Sequence, residues 1–263
     1  MIPKKIHYIW LSDNPLNRIA KKCLRSWREY APDYEIKKWT MPDFAPEELP
    51  DFVQEAIECK KWAFACDYLR LYILEKEGGI YLDSDVLMLA SPDEFLNNDF
   101  FSSVEYYHEL FEPYKKDVDA AGNTDKDMIP GVAIQAAIMG STPHHPFVRE
   151  CMEYYKSRRF VNEDGEFSTS MLAPHIYAMI AKKYGFKYKN EEQLLKHGIH
   201  LYESEFFAPG IDQATANSRM IHLCNGSWRD TDFISRLRLS LEKNYRIEKI
   251  KSSARRRSMT EAM

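Results

Sequence analysis

Between Trp62 and Met88 the chain leaves a helical pattern and enters a strand without a linker, and this junction constrains the fold more than any other stretch. Trp62, Ala65, Leu69 and Ile73 recur at helical spacing as far as Lys76, with Phe64, Leu71 and Leu74 beside them. Gly78-Gly79 then stops the helix, as glycine does after a last helical turn. Ile80-Tyr81-Leu82-Asp83-Ser84-Asp85-Val86 follows at once, which predicts a short strand with two carboxylates at its end. In extended backbone, side chains i and i+2 point the same way. Tyr81, Asp83 and Asp85 are therefore expected on one face, with Ile80, Leu82 and Val86 toward a core. Two carboxylates held so close repel unless a cation joins them, and oxygen ligands suit Mn²⁺ or Mg²⁺.

The same alternation runs on either side. Ile6–Trp10 reads as a buried strand, Leu16–Tyr30 as a helix and Tyr34–Thr40 as a second strand. Pro42, Pro46 and Pro50 break the chain before a short helix near Glu47–Cys59. Beyond Pro92 come a strand at Phe101–Glu105, a strand at Ile134–Ser141, helices at His144–Arg158 and Ser168–Tyr184, and a late strand at Ile221–Leu223. Strand and helix in turn predict an α/β domain with a mostly parallel central sheet and additional helices. The expected domain covers 1–233, with 106–130 and 150–205 as its variable, acceptor-side segments. Residues 234–263 are expected as a basic amphipathic helix and tail, with Ile234, Leu237, Leu241 and Tyr245 on one stripe.

Two metal-like clusters fail on geometry. Asp117, Asp119, Gly122, Asp125 and Asp127 mimic a calcium loop, but Ala121 and Met128 stand where ligands belong, so a solvated loop is expected. His144 and His145 are adjacent and diverge in direction, which suits the start of a helix better than a metal pair.

Composition narrows the class. No apolar window reaches the length of a membrane span, and the basic start Pro3-Lys4-Lys5 lacks the apolar run of a signal peptide. The five cysteines are scattered and never spaced CxxC, which implies a reducing, cytoplasmic setting. The Asn225-Gly226-Ser227 sequon is then a chance match. From Lys243 to Arg257 there are seven basic residues and one acid, in a chain whose net charge is −4. An acidic body with a basic tail argues against a nucleic-acid binder. It suits a body touching an anionic surface at one end, such as the inner face of the cytoplasmic membrane.

Ala65-Cys66-Asp67-Tyr68-Leu69-Arg70, Gly78-Gly79-Ile80-Tyr81 and the Asp83-Ser84-Asp85 pair together resemble glycosyltransferase family 32. That family includes capsule and lipopolysaccharide transferases and yeast mannosyltransferases, and is related to the glucosylating domains of large clostridial toxins. The resemblance extends to Ile2–Trp10 and Ile221–Trp228. It implies a GT-A nucleotide-binding sandwich and a retaining, metal-dependent transfer from a nucleotide sugar, most simply a UDP-sugar, to a glycan or lipid-linked acceptor. Bacterial surface polysaccharide synthesis is the setting it implies. By position, Trp10 would stack on the base, Asp67 and Arg70 would hold nucleotide or sugar, and Tyr81 would sit by ribose or phosphate. Asp83 and Asp85 would be the catalytic pair: Asp83 would contact ribose, sugar or the metal shell, and Asp85 would ligate the metal directly. His222 would complete the metal shell, and Ser227 and Trp228 would fold over the diphosphate. Leu11-Ser12 and Leu223 depart from the family pattern.

Two rival readings share parts of this signal. A haloacid dehalogenase-type phosphatase also places a DxD at a strand end, but wants Thr or Val where Leu87 stands. A catalytically inactive nucleotide-sugar-binding module would keep the fold without turnover.

Overall fold

The computed structural model describes residues 1–224 together with Ile247 and Ile250. Eleven strands and six α-helices are described. β1 (Lys5–Ile9), α1 (Arg18–Tyr30) and β2 (Glu35–Trp39) open the chain, followed by α2 (Asp51–Glu58), α3 (Trp62–Glu77), β3 (Gly79–Leu82) and β4 (Val86–Met88). Then come β5 (Phe100–Tyr106), the single turn α4 (His108–Phe111), β6 (Val132–Ile134), β7 (Ile138–Ser141), α5 (Pro146–Lys156) and α6 (Ala173–Ala181). β8 (Gln193–Leu194), β9 (Ile199–Tyr202), β10 (Phe207–Ala208) and β11 (Met220–His222) follow.

The main sheet runs β2-β1-β3-β7-β5-β9-β8, with β6 added beside β5. β1 is parallel to β2 and β3, and β9 is parallel to β5. β7 is antiparallel to both β3 and β5, which makes β3 and β5 parallel to each other. Within the main sheet β6, β7 and β8 run against the direction shared by the other five strands. The sheet is therefore mixed, with three parallel and four antiparallel pairings among the described strands, because β7 inserts antiparallel between β3 and β5 where the sequence predicts a mostly parallel sheet. A small sheet, β10-β11-β4, lies apart from it.

Alternate residues of the central strands feed two cores, as the pleat requires. Tyr81, Phe100, Val104 and Met139 join the residues of α2, α3, α5 and α6. Ile80, Leu82, Phe101 and Ile138 join α1 and the small sheet, where Trp27 donates from Nε1 to the Val86 carbonyl at 2.8 Å. Ile247 is buried in this second core with Ile250 packed against it. The remainder of the expected basic helix and tail lies outside the described residues.

The α3–β3 junction forms as the sequence predicts. Gly78 donates to the Leu74 carbonyl and has φ +63°, and Gly79 has φ +91°. A Cβ on Gly79 would stand 2.9 Å from both His7 Nε2 and the Lys5 carbonyl, so glycine is needed there for space as well as for φ. His145 starts α5 by accepting from the Phe147 amide and reaching the His197 carbonyl with Nε2, the helix-start role expected of it. The predicted strand 134–141 is split. β6 and β7 both pair with β5, but Gln135-Ala136-Ala137 between them leaves the ladder.

Candidate functional site

The site lies where strand order reverses. β1 continues outward to β2 on one side, while its other neighbour is β3. In open α/β sheets the crevice outside the carboxyl ends of strands at such a switch point is where ligands bind. Trp10 follows β1 there, and Asp83 follows β3. β5 points the same way and brings Glu105 to that edge.

Asp83 and Asp85 converge for a different reason from the one the alternation implied. β3 ends at Leu82, and Asp83-Ser84-Asp85 is a turn closed by the Val86 amide donating to the Asp83 carbonyl at 2.9 Å. Turn geometry, not strand pleat, sets the pair. β11 then runs antiparallel to β4 with His222 opposite Val86, and the Leu223 amide donates to the Asp85 carbonyl at 3.0 Å. This register carries His222 Nε2 to 3.4 Å from Asp85 Oδ1. Single ligand atoms of Asp83, Asp85 and His222 all lie within 4.8 Å of one another, the one such group of three or more among the described residues. The acids of 117–127 do not assemble into one. Two carboxylates and an imidazole fit Mn²⁺ well and Mg²⁺ acceptably.

Burial disfavours a charged His222 ring, yet the neighbouring Asp85 and the hydrogen bonds to Asp85 and Cys224 hold its proton well above the ordinary histidine range. Cys224 Sγ lies 3.5 Å from His222 Nδ1 and donates to the Pro209 carbonyl at 3.0 Å. The sulfur can thus accept a hydrogen bond from Nδ1–H while its own proton is engaged, which leaves Nε2 facing Asp85.

Behind the carboxylates lies Arg70. Its guanidinium is 3.1 Å from Asp67 and 3.6 Å from Asp83, and it donates to the carbonyls of Cys66 at 3.0 Å and Ala136 at 2.7 Å. The Ala136 carbonyl is available because the β6–β7 break turns it out of the ladder. The next carbonyl, of Ala137, accepts from the Asp83 amide at 2.9 Å. Burial pushes the Asp67 carboxyl up to about 7 against the pull of Arg70. Arg70 is buried and held wholly by protein groups, so it braces the site from within. The Asp67 carbonyl also accepts from the Tyr177 hydroxyl of α6 at 3.1 Å.

The sequence reading set Tyr81 beside ribose or phosphate. The structure buries its ring, with Arg70 5.1 Å over it, and its hydroxyl donates to Asp83 Oδ1 at 2.7 Å. Tyr81 therefore holds Asp83 in place from the sheet side. Trp10 is half-buried, donates from Nε1 to the Asn14 carbonyl at 2.7 Å, and lines a cavity of about 310 Å³ with Ser12, Lys38, Thr40 and Met41. Ser227 and Trp228 lie outside the described residues.

Glu105 carries no local signal of a site: the strand ending there is legible in the sequence, but that this end meets the Asp83 edge depends on β7 intervening between β3 and β5. Burial pushes the Glu105 carboxyl up to about 7, opposed by the positive charge of His222 and Arg70.

Residues 18–101 match a family described as the glycosyltransferase sugar-binding region containing a DXD motif, a window that includes α3 and the Asp83–Asp85 turn. Subversion of eukaryotic traffic protein A of Legionella pneumophila is 35% identical over 121 residues, covering 35% of this chain and 18% of that protein. An uncharacterised glycosyltransferase of Acanthamoeba polyphaga mimivirus is 26% identical over 155 residues, covering 56% of this chain and 52% of that protein. The chain thus spans about half or less of these relatives. Mouse xyloside xylosyltransferase 1 shares the fold, with a TM-score of 0.50 at 10% identity over 84% of this chain and 98% of that one. The architecture is the GT-A sandwich expected from the sequence.

Proposed function

We propose that this chain, which carries the DXD sugar-binding region and is similar to glycosyltransferases, transfers a sugar from a nucleotide sugar, with UDP as the nucleotide, to a glycan or lipid-linked acceptor. The observation that carries the proposal is the meeting of Asp83, Asp85 and His222 at the sheet's switch point. A divalent cation bound by these three would neutralise the charge that develops on the departing diphosphate.

The protein's own groups divide the remaining work. Asp85 and His222 would hold the cation together with Asp83, which the Tyr81 hydroxyl and the charge of Arg70 fix beside them. Trp10, which lines the 310 Å³ cavity, offers its ring to the base. Transfer proceeds with retention, the acceptor hydroxyl attacking from the side the diphosphate leaves and passing its proton to the leaving phosphate. In support, Asp67 and Asp83 are tied to Arg70 and Tyr81, which leaves them poor nucleophiles. Bacterial surface polysaccharide is the acceptor setting proposed, with the basic C-terminal segment, of which Ile247 and Ile250 alone are described, resting on an anionic membrane. No described helix is long and apolar enough to cross one.

A screen of UDP- and GDP-sugars with Mn²⁺, reading slow hydrolysis without acceptor, tests the reading. Release of UDP from one sugar nucleotide, abolished by chelation, is the expected result. Phosphate release from simple esters would point instead to a phosphatase, and binding without turnover to an inactive module.

A further inference from the structure

Glu105 ends up at the carboxyl-end edge of the sheet with no hydrogen-bond donor among the described residues. It is the sixth residue of β5, paired across the ladder with Ala133, and its side chain is partly accessible. The two positive groups that face it come from other elements, Arg70 from α3 and His222 from β11. Both are already engaged: Arg70 by Asp67, Asp83 and two carbonyls, His222 by Asp85 and Cys224. Among the described residues no group donates a hydrogen bond to the Glu105 carboxylate. By contrast, Asp67 has Arg70, Asp83 has Tyr81 and Asp85 has His222.

A carboxylate only partly open to water, and without a donor among the described residues, gains from a ligand that supplies one. A diphosphate cannot, because it is itself an anion and an acceptor. The cation-binding side of the cleft suits the diphosphate, and the Glu105 side suits the uncharged part of the donor, which is an array of hydroxyl donors.

We propose that Glu105 accepts a hydrogen bond from a hydroxyl of the donor's sugar and so determines which sugar the site takes. The proposal rests on the nucleotide-sugar reading above and assigns the one part of the donor that the metal-site residues do not address.

Calorimetric titration with Mn²⁺ present tests it, using UDP, GDP and their glucose, galactose, N-acetylglucosamine and mannose derivatives. The wild type is expected to bind one sugar nucleotide more tightly than the bare diphosphate. Glu105→Gln should keep the affinity for bare diphosphate within about twofold and lose roughly tenfold or more for the sugar nucleotide. In the wild type, one monodeoxy analogue of that sugar should lose a similar factor, and the loss should shrink in Glu105→Gln. If Glu105→Gln does not fold, the deoxy series on the wild type and Glu105→Asp carries the same comparison. Unchanged sugar-nucleotide affinity in folded Glu105→Gln, equal losses for bare diphosphate and sugar nucleotide, or a glycosyl ester trapped on Glu105 would each overturn the proposal. A wild type that binds neither UDP nor GDP would instead overturn the reading beneath it.

Discussion

His222 Nε2 stands 3.4 Å from Asp85 Oδ1, although 137 positions separate the two residues in the chain. A carboxylate and an imidazole at that separation can share a proton or a divalent cation, and the site is built around that choice. Asp85→Asn keeps the size of the side chain and removes its charge. Donor hydrolysis with Mn²⁺ is expected to fall roughly 100-fold or more, with a melting temperature within about 3 °C of the wild type. Near wild-type turnover would remove Asp85 from the site.

Cys224 acts on the same imidazole from behind. With Sγ 3.5 Å from Nδ1, it favours the ring state that leaves Nε2 toward Asp85. Cys224→Ala should weaken Mn²⁺ binding by about 10-fold, the usual scale for a group that orients a ligating histidine. Cys224→Ser should recover most of it. Free Mn²⁺ measured by electron paramagnetic resonance gives the comparison, and equal affinities in all three proteins would show that the thiol is a bystander.

Tyr81→Phe isolates one hydroxyl. It removes the 2.7 Å hydrogen bond to Asp83 while keeping the ring that packs in the core under Arg70. Stability is expected to drop by about 1–2 kcal/mol in urea unfolding. Because Asp83 is then free to turn, turnover should drop more than this stability loss explains. A variant that is less stable but fully active would make Tyr81 a purely structural residue.

His7 gives a pH prediction independent of the metal. It is fully buried, its Nε2 donates to the Gly78 carbonyl at 3.0 Å, and its Nδ1 accepts from Trp39 Nε1 at 3.1 Å, which fixes one neutral tautomer. Burial lowers its pKa from 6.5 to about 4, although the charge of Glu77 opposes this. The unfolded chain therefore takes up a proton near pH 6.5 that the folded chain refuses until about pH 4. The stability contributed by neutral His7 is complete above pH 6.5 and is lost as pH falls toward 4, by up to ~3 kcal/mol. Urea unfolding of the wild type and His7→Gln at pH 7 and pH 4.5 should show a steeper acid loss in the wild type. Parallel losses would refute the assignment.

Much of this fold was legible because its signals are local. The α3 pattern and the Gly78-Gly79 stop depend on neighbours a few residues away and appear where the sequence puts them, and the Asp83-Ser84-Asp85 pair follows the stop but in a turn instead of the predicted strand. For Tyr81 the local signal gives less: pleat alternation sets a direction, but not that the ring packs under Arg70 and its hydroxyl meets Asp83. The break at Gln135–Ala137 was not legible either. Ile134–Ser141 reads as one strand, and only pairing with β5 shows where the ladder fails and which carbonyls turn toward Arg70 and Asp83.

The sequence by itself determined the alternation of strand and helix, the helix stop before β3, and the carboxylate pair with its acid and arginine on the preceding helix. These follow from propensity, periodicity and backbone sterics, which act over a few residues. Only the tertiary structure decided that the pair is held in a turn, that β11 brings His222 to it, and that β5 delivers Glu105 to the same edge. Those positions depend on strand order and register, which are fixed by the burial of residues far apart in the chain.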